Sequence, residues 1–181
     1  MKQRVHIFGA SGSGTTTLGS ALCRVIPHEH LDSDNYLWEQ KFSQLRPAEK
    51  RLALIKEDLE QRQPWILTGA VCGWGDSLKP YFDLVVFLYI PPEIRMERLL
   101  KREVERYGDA ILPGGSLHEE HVKFMEWASL YDTAGPEVRS RRLHEAWMAD
   151  LKCPVLRLEE DLTVQERVNR ILPWLSPCTS C

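Results

Sequence analysis

A glycine-rich run, Gly9-Ala10-Ser11-Gly12-Ser13-Gly14-Thr15-Thr16, follows the short apolar stretch from Val5 to Phe8 and precedes a helical pattern. Few local features constrain a fold as tightly. Glycines allow the backbone to bend around an anion, successive amide hydrogens then point inward, and the following helix adds its positive N-terminal end. The spacing is that of a phosphate-binding loop (P-loop), so the run predicts a strand, a tight turn and a helix holding a phosphorylated ligand. Gly9, Gly12 and Gly14 would shape the loop, and the amides of Ser13, Gly14, Thr15, Thr16 and Thr17 would hold the β- and γ-phosphates. Thr16 supplies the hydroxyl that such loops offer to magnesium. Thr15 stands where the motif expects lysine and brings one hydrogen-bond donor but no charge. The alternative is a plain glycine-rich turn, which the placement between strand and helix disfavours.

The rest of the chain agrees with one α/β domain over residues 1–181. Strand-like runs at 4–8, 29–31, 65–68, 84–89 and 155–158 alternate with helical patterns, which predicts a mainly parallel sheet covered on both faces. Helices are expected over 15–25, 47–63, 91–107, 117–131 and 164–172, with a further helix starting at Pro136. In the helix over 91–107 the apolar spacing places Met96, Leu99, Leu100 and Val104 on the buried side and Arg95, Arg98, Arg102 and Arg106 on another. The segment 108–115 interrupts the pattern.

Composition excludes several classes. A net charge of −3 argues against general nucleic-acid binding, which needs a basic surface. No run approaches the roughly 18 apolar residues of a membrane span, and the first glycines come too early for a signal-peptide core, so a cytoplasmic protein is expected. Cys23, Cys72 and Cys153 read as small apolar residues, and the Cys178/Cys181 pair is an isolated C-x-x-C. The histidines of His118-Glu119-Glu120-His121 are three apart rather than four and do not make a zinc helix.

Three further features carry candidate chemistry. Asp32-Ser33-Asp34 follows the second strand, at the carboxyl edge where ligands gather in open α/β sheets. Asp32 either organises a magnesium-bound water or takes a proton from a substrate hydroxyl, and Asp34 would bind that hydroxyl; alternatively, either residue is a helix cap. After the third strand, residues 68–76 (TGAVCGWGD) contain Gly69, which permits close approach, and Trp74, which either walls a pocket or half-buries in a surface loop. The arginine stripe offers charge to neutralise a moving phosphoryl group and a replacement for the absent lysine; its alternative is a solvated face paired with Glu93, Glu97, Glu103 and Glu105.

Taken together, residues 9–17 (GASGSGTTT), 31–38 (LDSDNYLW), 68–76, 87–102 (FLYIPPEIRMERLLKR) and 124–132 (FMEWASLYD) give the chain a resemblance to the P-loop small-molecule kinases, among them nucleoside monophosphate, shikimate and gluconate kinases. It resembles more closely the bacterial adenylate-kinase-related, AAA-family P-loop proteins. The resemblance implies a three-layer P-loop fold with sheet order 2-3-1-4-5 and a helical lid over about 93–135. It also implies ATP and Mg²⁺ as donor and cofactor and a small-molecule phosphate acceptor. Asp32 and Asp34 match the paired aspartates of shikimate-kinase-like enzymes, and Arg98 and Arg102 match the lid-helix arginines of monophosphate kinases. Arg157 is placed near the nucleotide base. Thr15 is the departure from that pattern. A switch GTPase is disfavoured by the lack of an N-K-x-D motif; a kinase-like module that binds nucleotide without transferring phosphate is the main rival.

Overall fold

A computed structural model describes residues 2–40 and 44–175. Five strands form one parallel sheet: β1 (Arg4–Gly9), β2 (Glu29–Asp32), β3 (Trp65–Thr68), β4 (Leu84–Leu88) and β5 (Val155–Leu158). Their order is 2-3-1-4-5, with β1 in the centre, bonded to β3 on one side and β4 on the other. The strands are nearly all buried because helices cover both faces, which is why they read as apolar runs rather than as alternations. The period of two nevertheless sorts side chains between the two layers. Val5 and Ile7 of β1 join Leu84, Val86 and Leu88 in one core, against Leu18 and Leu22 of helix α1 (Thr15–Cys23) and Val168 and Ile171 of α7 (Val164–Leu175). Phe8, Val85 and Phe87 face the other way, against Ile55 and Leu59 of α3 (Ala48–Gln61) and Trp147 and Met148 of α6 (Arg141–Ala149).

The connections place the site. β1 sends α1 to one face, whereas the loops after β2 and β3 lead to the other, so a crevice opens at the carboxyl ends of these strands. After β2 a single turn, α2 (Asp34–Leu37), leads into Trp38–Gln40, which pairs antiparallel with Gln44–Leu45 before α3. Gly19 of α1 lets that helix press onto the sheet: a methyl group there would lie 2.4 Å from Thr68 Cγ2 and 2.8 Å from His30 Nε2.

Two helical expectations need correction. α4 (Pro92–Tyr107) buries Arg95, Leu99 and Glu103. Leu100 and Val104 are 47% and 48% exposed. The helix is rotated from the apolar count because Arg95 is buried with its charge paired, which a hydrophobicity pattern does not register. Near Pro136 the chain makes a turn, and the helix begins at Arg141, where the hydroxyl of Ser140 accepts the Leu143 N–H at 3.1 Å. A serine in extended backbone is the better N-cap. α5 (His118–Ser129) continues in a short 3-10 turn, Leu130–Asp132. The Cys178/Cys181 pair lies outside the described residues; Cys23, Cys72 and Cys153 are free thiols, and burial pushes Cys72 up to about 12. Among the described residues no helix is long and apolar enough to cross a membrane.

Candidate active site

The loop between β1 and α1 has the geometry its glycines predict. Gly12 and Gly14 hold φ of 85° and 89°, a region that side chains disfavour. The Ser13 N–H bonds back to the Ala10 carbonyl at 3.1 Å and closes the turn. Gly14 caps α1 without a side-chain bond, so the first-turn amides of Thr15, Thr16 and Thr17 have no capping acceptor. These donors and the helix dipole form a concave, electropositive backbone surface suited to phosphate. Gly9 permits close packing, since a methyl group there would sit 2.3 Å from the Leu88 carbonyl oxygen.

Asp32 ends β2 directly across from this loop. The Thr16 hydroxyl donates to Asp32 Oδ2 at 3.0 Å, and the Asp34 N–H donates to Asp32 Oδ1 at 3.0 Å. The exposed hydroxyl and carboxylate therefore meet as an oxygen pair, the hard-donor chemistry that magnesium takes when phosphates and water complete its shell. Among the described residues no group of three or more His, Cys, Asp or Glu could hold a metal unaided. Asp34 is exposed at the start of α2. Gly69, at φ 89°, is needed beside this pair: a methyl group on it would lie 2.1 Å from Ser33 Oγ and 3.7 Å from Asp32 Oδ1.

Behind the carboxylate, His30 bridges Ser20 on α1 (3.1 Å) and the Thr68 hydroxyl (3.0 Å). Burial lowers the pKa of His30 and the nearby Asp32 charge opposes that shift. A cleft of about 560 Å³ extends from Asp32 along α2 and α3, lined by His30, Tyr36, Arg46, Glu57 and Asp58 among others. Its walls are fixed by the Tyr36 hydroxyl on Asp58 (2.6 Å) and by Arg46 on the Tyr36 carbonyl (2.7 Å). Trp74 is half-buried at the edge of the core on the α3 side, its ring under the Arg51 guanidinium and its N–H directed to the Ala70 carbonyl at 3.4 Å.

The arginine stripe divides. Arg95 is fully buried beneath the P-loop; it donates to the Ala128 carbonyl at 3.0 Å and pairs with Asp132 at 2.9 Å. Gly12 is glycine for this reason as well, since a methyl group there would meet the Arg95 carbonyl oxygen at 2.8 Å. Arg98 pairs with Asp161 at 2.7 Å, and Arg102 lies 3.6 Å from Glu103 and over the Phe124 ring. Arg157 is held by Glu145 and Glu159. Two cations approach the loop from elsewhere. Arg139 shares a recess with Ser11, Arg95, Trp127 and Tyr131 and makes no hydrogen bond or ion pair among the described residues, its guanidinium resting 5.5 Å from the Trp127 ring centre. Arg167, on α7, donates from Nη1 to the Ser13 carbonyl at 2.9 Å. Only spacing hints at Arg167 in the sequence: it precedes Ile171 and Leu175 by four and eight residues on the buried face of α7.

A P-loop after the central strand of a parallel 2-3-1-4-5 sheet covered by helices on both faces defines the P-loop kinase class of fold. A family model described as an AAA domain matches residues 5–123, and the chain belongs to that family. The chain is 60% identical over 176 residues to the uncharacterized protein YqaC of Bacillus subtilis (strain 168), covering 97% of this chain and 99% of that one. Among solved structures, the fold is similar to shikimate kinase from Acinetobacter baumannii in complex with shikimate, with a TM-score of 0.58 at 18% identity over 96% of this chain and 93% of that one. It is also similar to a gluconokinase from Sinorhizobium meliloti 1021, with a TM-score of 0.53 at 19% identity over 95% and 90% of the two chains.

Proposed function

We propose that the protein is a cytoplasmic, magnesium-dependent phosphotransferase that moves the γ-phosphate of ATP to a hydroxyl of a small acceptor bound in the cleft beside Asp32. The observation that carries this reading is the 3.0 Å bond from Thr16 to Asp32, which joins the phosphate loop to the mouth of the acceptor-sized cleft. The kinase-like fold and the adenylate-kinase-related pattern of the sequence support a nucleotide donor.

In this reading the loop amides from Ser13 to Thr17 orient the triphosphate, Thr16 and Asp32 would hold the metal, and Gly69 keeps close to Asp32 at the mouth of the cleft, whereas Trp74, under Arg51, stands outside the cleft's lining. Magnesium held there would supply positive charge against the negative charge of the phosphate chain. Asp34 directs the acceptor hydroxyl. Its oxygen forms a bond to the γ-phosphorus as the β–γ bridging P–O bond breaks; the hydroxyl proton passes to Asp32 and ADP leaves. Residues 93–135 act as a lid that excludes water and suppresses hydrolysis. From that side Arg139, unpaired and close to Ser11, screens the charge that spreads over the moving group, with Arg98 and Arg102 on the lid helix contributing longer-range positive potential.

A second reading, a nucleotide-binding module without transfer, is favoured by Thr15, because a lysine there would bridge the β- and γ-phosphates. Calorimetric titration with Mg·ATP, followed by ADP release against sugars, hydroxy acids and nucleoside monophosphates, separates the two. Release that depends on one acceptor establishes the kinase; tight binding with no acceptor-dependent release establishes the module.

A further inference from the structure

Arg167 is buried, with 3% of its surface exposed, yet the described residues provide no carboxylate bonded to it. Its Nη1 donates to the Ser13 carbonyl, while Nε and Nη2 are buried without partners. The carboxylate nearest in electrostatic effect, Asp161, is engaged by Arg98 at 2.7 Å. A guanidinium in this position is costly unless an anion comes to it. The P-loop lies directly against it: a methyl group on Gly14 would sit 3.4 Å from Nη1.

Because a trans peptide directs its carbonyl and its N–H to opposite sides, the bond that turns the Ser13 carbonyl toward Arg167 turns the Gly14 N–H away from it. The same contact polarises that peptide, so the charge behind the loop strengthens the donor in front of it. We propose that Arg167 is a positioning residue that supplies, from behind the Ser13-Gly14 peptide, the fixed positive charge that the loop lacks at Thr15. The role is specific to the phosphate chain of the nucleotide. It rests on the reading of residues 9–16 as a phosphate site.

The test measures binding of Mg·tripolyphosphate and of adenosine to the full chain and to R167M, R167K and the double variant T15K/R167M. Binding of Mg·tripolyphosphate by the wild type upholds the underlying reading, and its absence overturns that reading and the proposal with it. Given that binding, R167M is expected to weaken tripolyphosphate by about tenfold to a hundredfold, the range for a lost charge-assisted contact. Adenosine affinity stays within about threefold. R167K retains most of the affinity, and Thr15→Lys restores it in the R167M background. Equal losses for tripolyphosphate and adenosine would mean a structural role only, and an unchanged tripolyphosphate affinity in folded R167M, or no rescue by Thr15→Lys, would equally overturn the proposal. If R167M does not fold, the guanidinium NMR signal of Arg167 in the wild type, assigned by its loss in R167K, decides: it shifts on adding Mg·tripolyphosphate, and a signal that stays in place refutes the assignment.

Discussion

The loop after β1 and the helix after β4 both announce themselves in the sequence, one by glycines and the other by arginines, yet they differ in how far local pattern determines them. The loop's conformation follows from its own residues: Gly12 and Gly14 occupy left-handed backbone, and the amides that follow lack capping acceptors whatever packs around them. The meaning of α4's arginines depends on distant partners, Asp132 for Arg95 and Asp161 for Arg98. Backbone-made sites are therefore legible locally, whereas side-chain charge acquires its role only from the tertiary neighbours that pair it or leave it bare.

The sharpest test of this contrast is at Asp32, the side chain that bonds Thr16 at the edge of the backbone-made loop. Asp32→Ala is expected to lower acceptor-dependent ADP release by about a thousandfold or more, because it removes both a metal oxygen and the proton acceptor. Mg·ATP binding falls far less, since the loop amides remain. Coupled-assay turnover set beside calorimetric affinity checks the split; turnover within tenfold of wild type would remove Asp32 from the chemistry.

Most of the sheet could be read directly, because a buried parallel strand is a short apolar run and the crossovers between such runs are helices. The P-loop and the placing of Asp32 opposite it could be anticipated from the order of motifs; at Gly69 the neighbour that requires the absence of a side chain is Ser33, which the motif did not indicate. The orientation of α4 could not, since Arg95 occupies the place an apolar residue would hold and conceals its burial behind its charge. Arg139 and Arg167 were equally hidden. Arg167 lies 154 positions from the loop carbonyl it holds. Of the two placements the sequence allows for Trp74, a pocket wall or a half-buried ring in a surface loop, the structure has the second, with the ring under Arg51 and its N–H directed to its own loop.

If pairing by remote partners fixes α4, breaking one buried pair should damage the fold more than removing an exposed one. Arg95→Met leaves Asp132 without its cation and removes one of the donors to the Ala128 carbonyl, at a cost of about 3–5 kcal/mol. Urea denaturation gives the difference. A loss below 1 kcal/mol would show that Arg95 is not the pivot on which α4 and the turn at Asp132 are held.

Acid reaches the opposite face of the sheet. His6 stacks between Phe8 and Phe82, and His144 lies edge-on to Phe8 and bonds the Tyr131 hydroxyl at 2.9 Å. Burial lowers His6 to about 4; burial, with added repulsion from Arg139 and His6, lowers His144 to about 3. The folded state thus keeps both rings neutral where the unfolded chain, titrating near 6.5, takes up protons. Stability is full above pH 6.5 and drains as pH falls toward 4, by about 2 kcal/mol per ring at pH 5. Melting curves between pH 7.5 and 5 test this, and a midpoint that does not fall over that interval would contradict it.

The smallest effect on stability is expected at Arg98, whose pair with Asp161 is exposed on both sides, at 41% and 43%. Such a pair contributes about 0–1 kcal/mol, so Arg98→Ala should scarcely move the melting temperature. Its consequence for ligand binding is larger than that figure implies. Asp161 stabilises the Arg167 charge while Arg98 opposes it, so removing Arg98 frees a carboxylate to draw Arg167 away from the Ser13 carbonyl. Tripolyphosphate affinity should then fall by about threefold to tenfold with stability unchanged, and the double variant R98A/D161A should recover it, because the competing carboxylate is gone. Recovery would place the pair in service of the loop; failure to recover would return Arg98 to direct contact with the phosphate, as the stripe on the lid helix first implied.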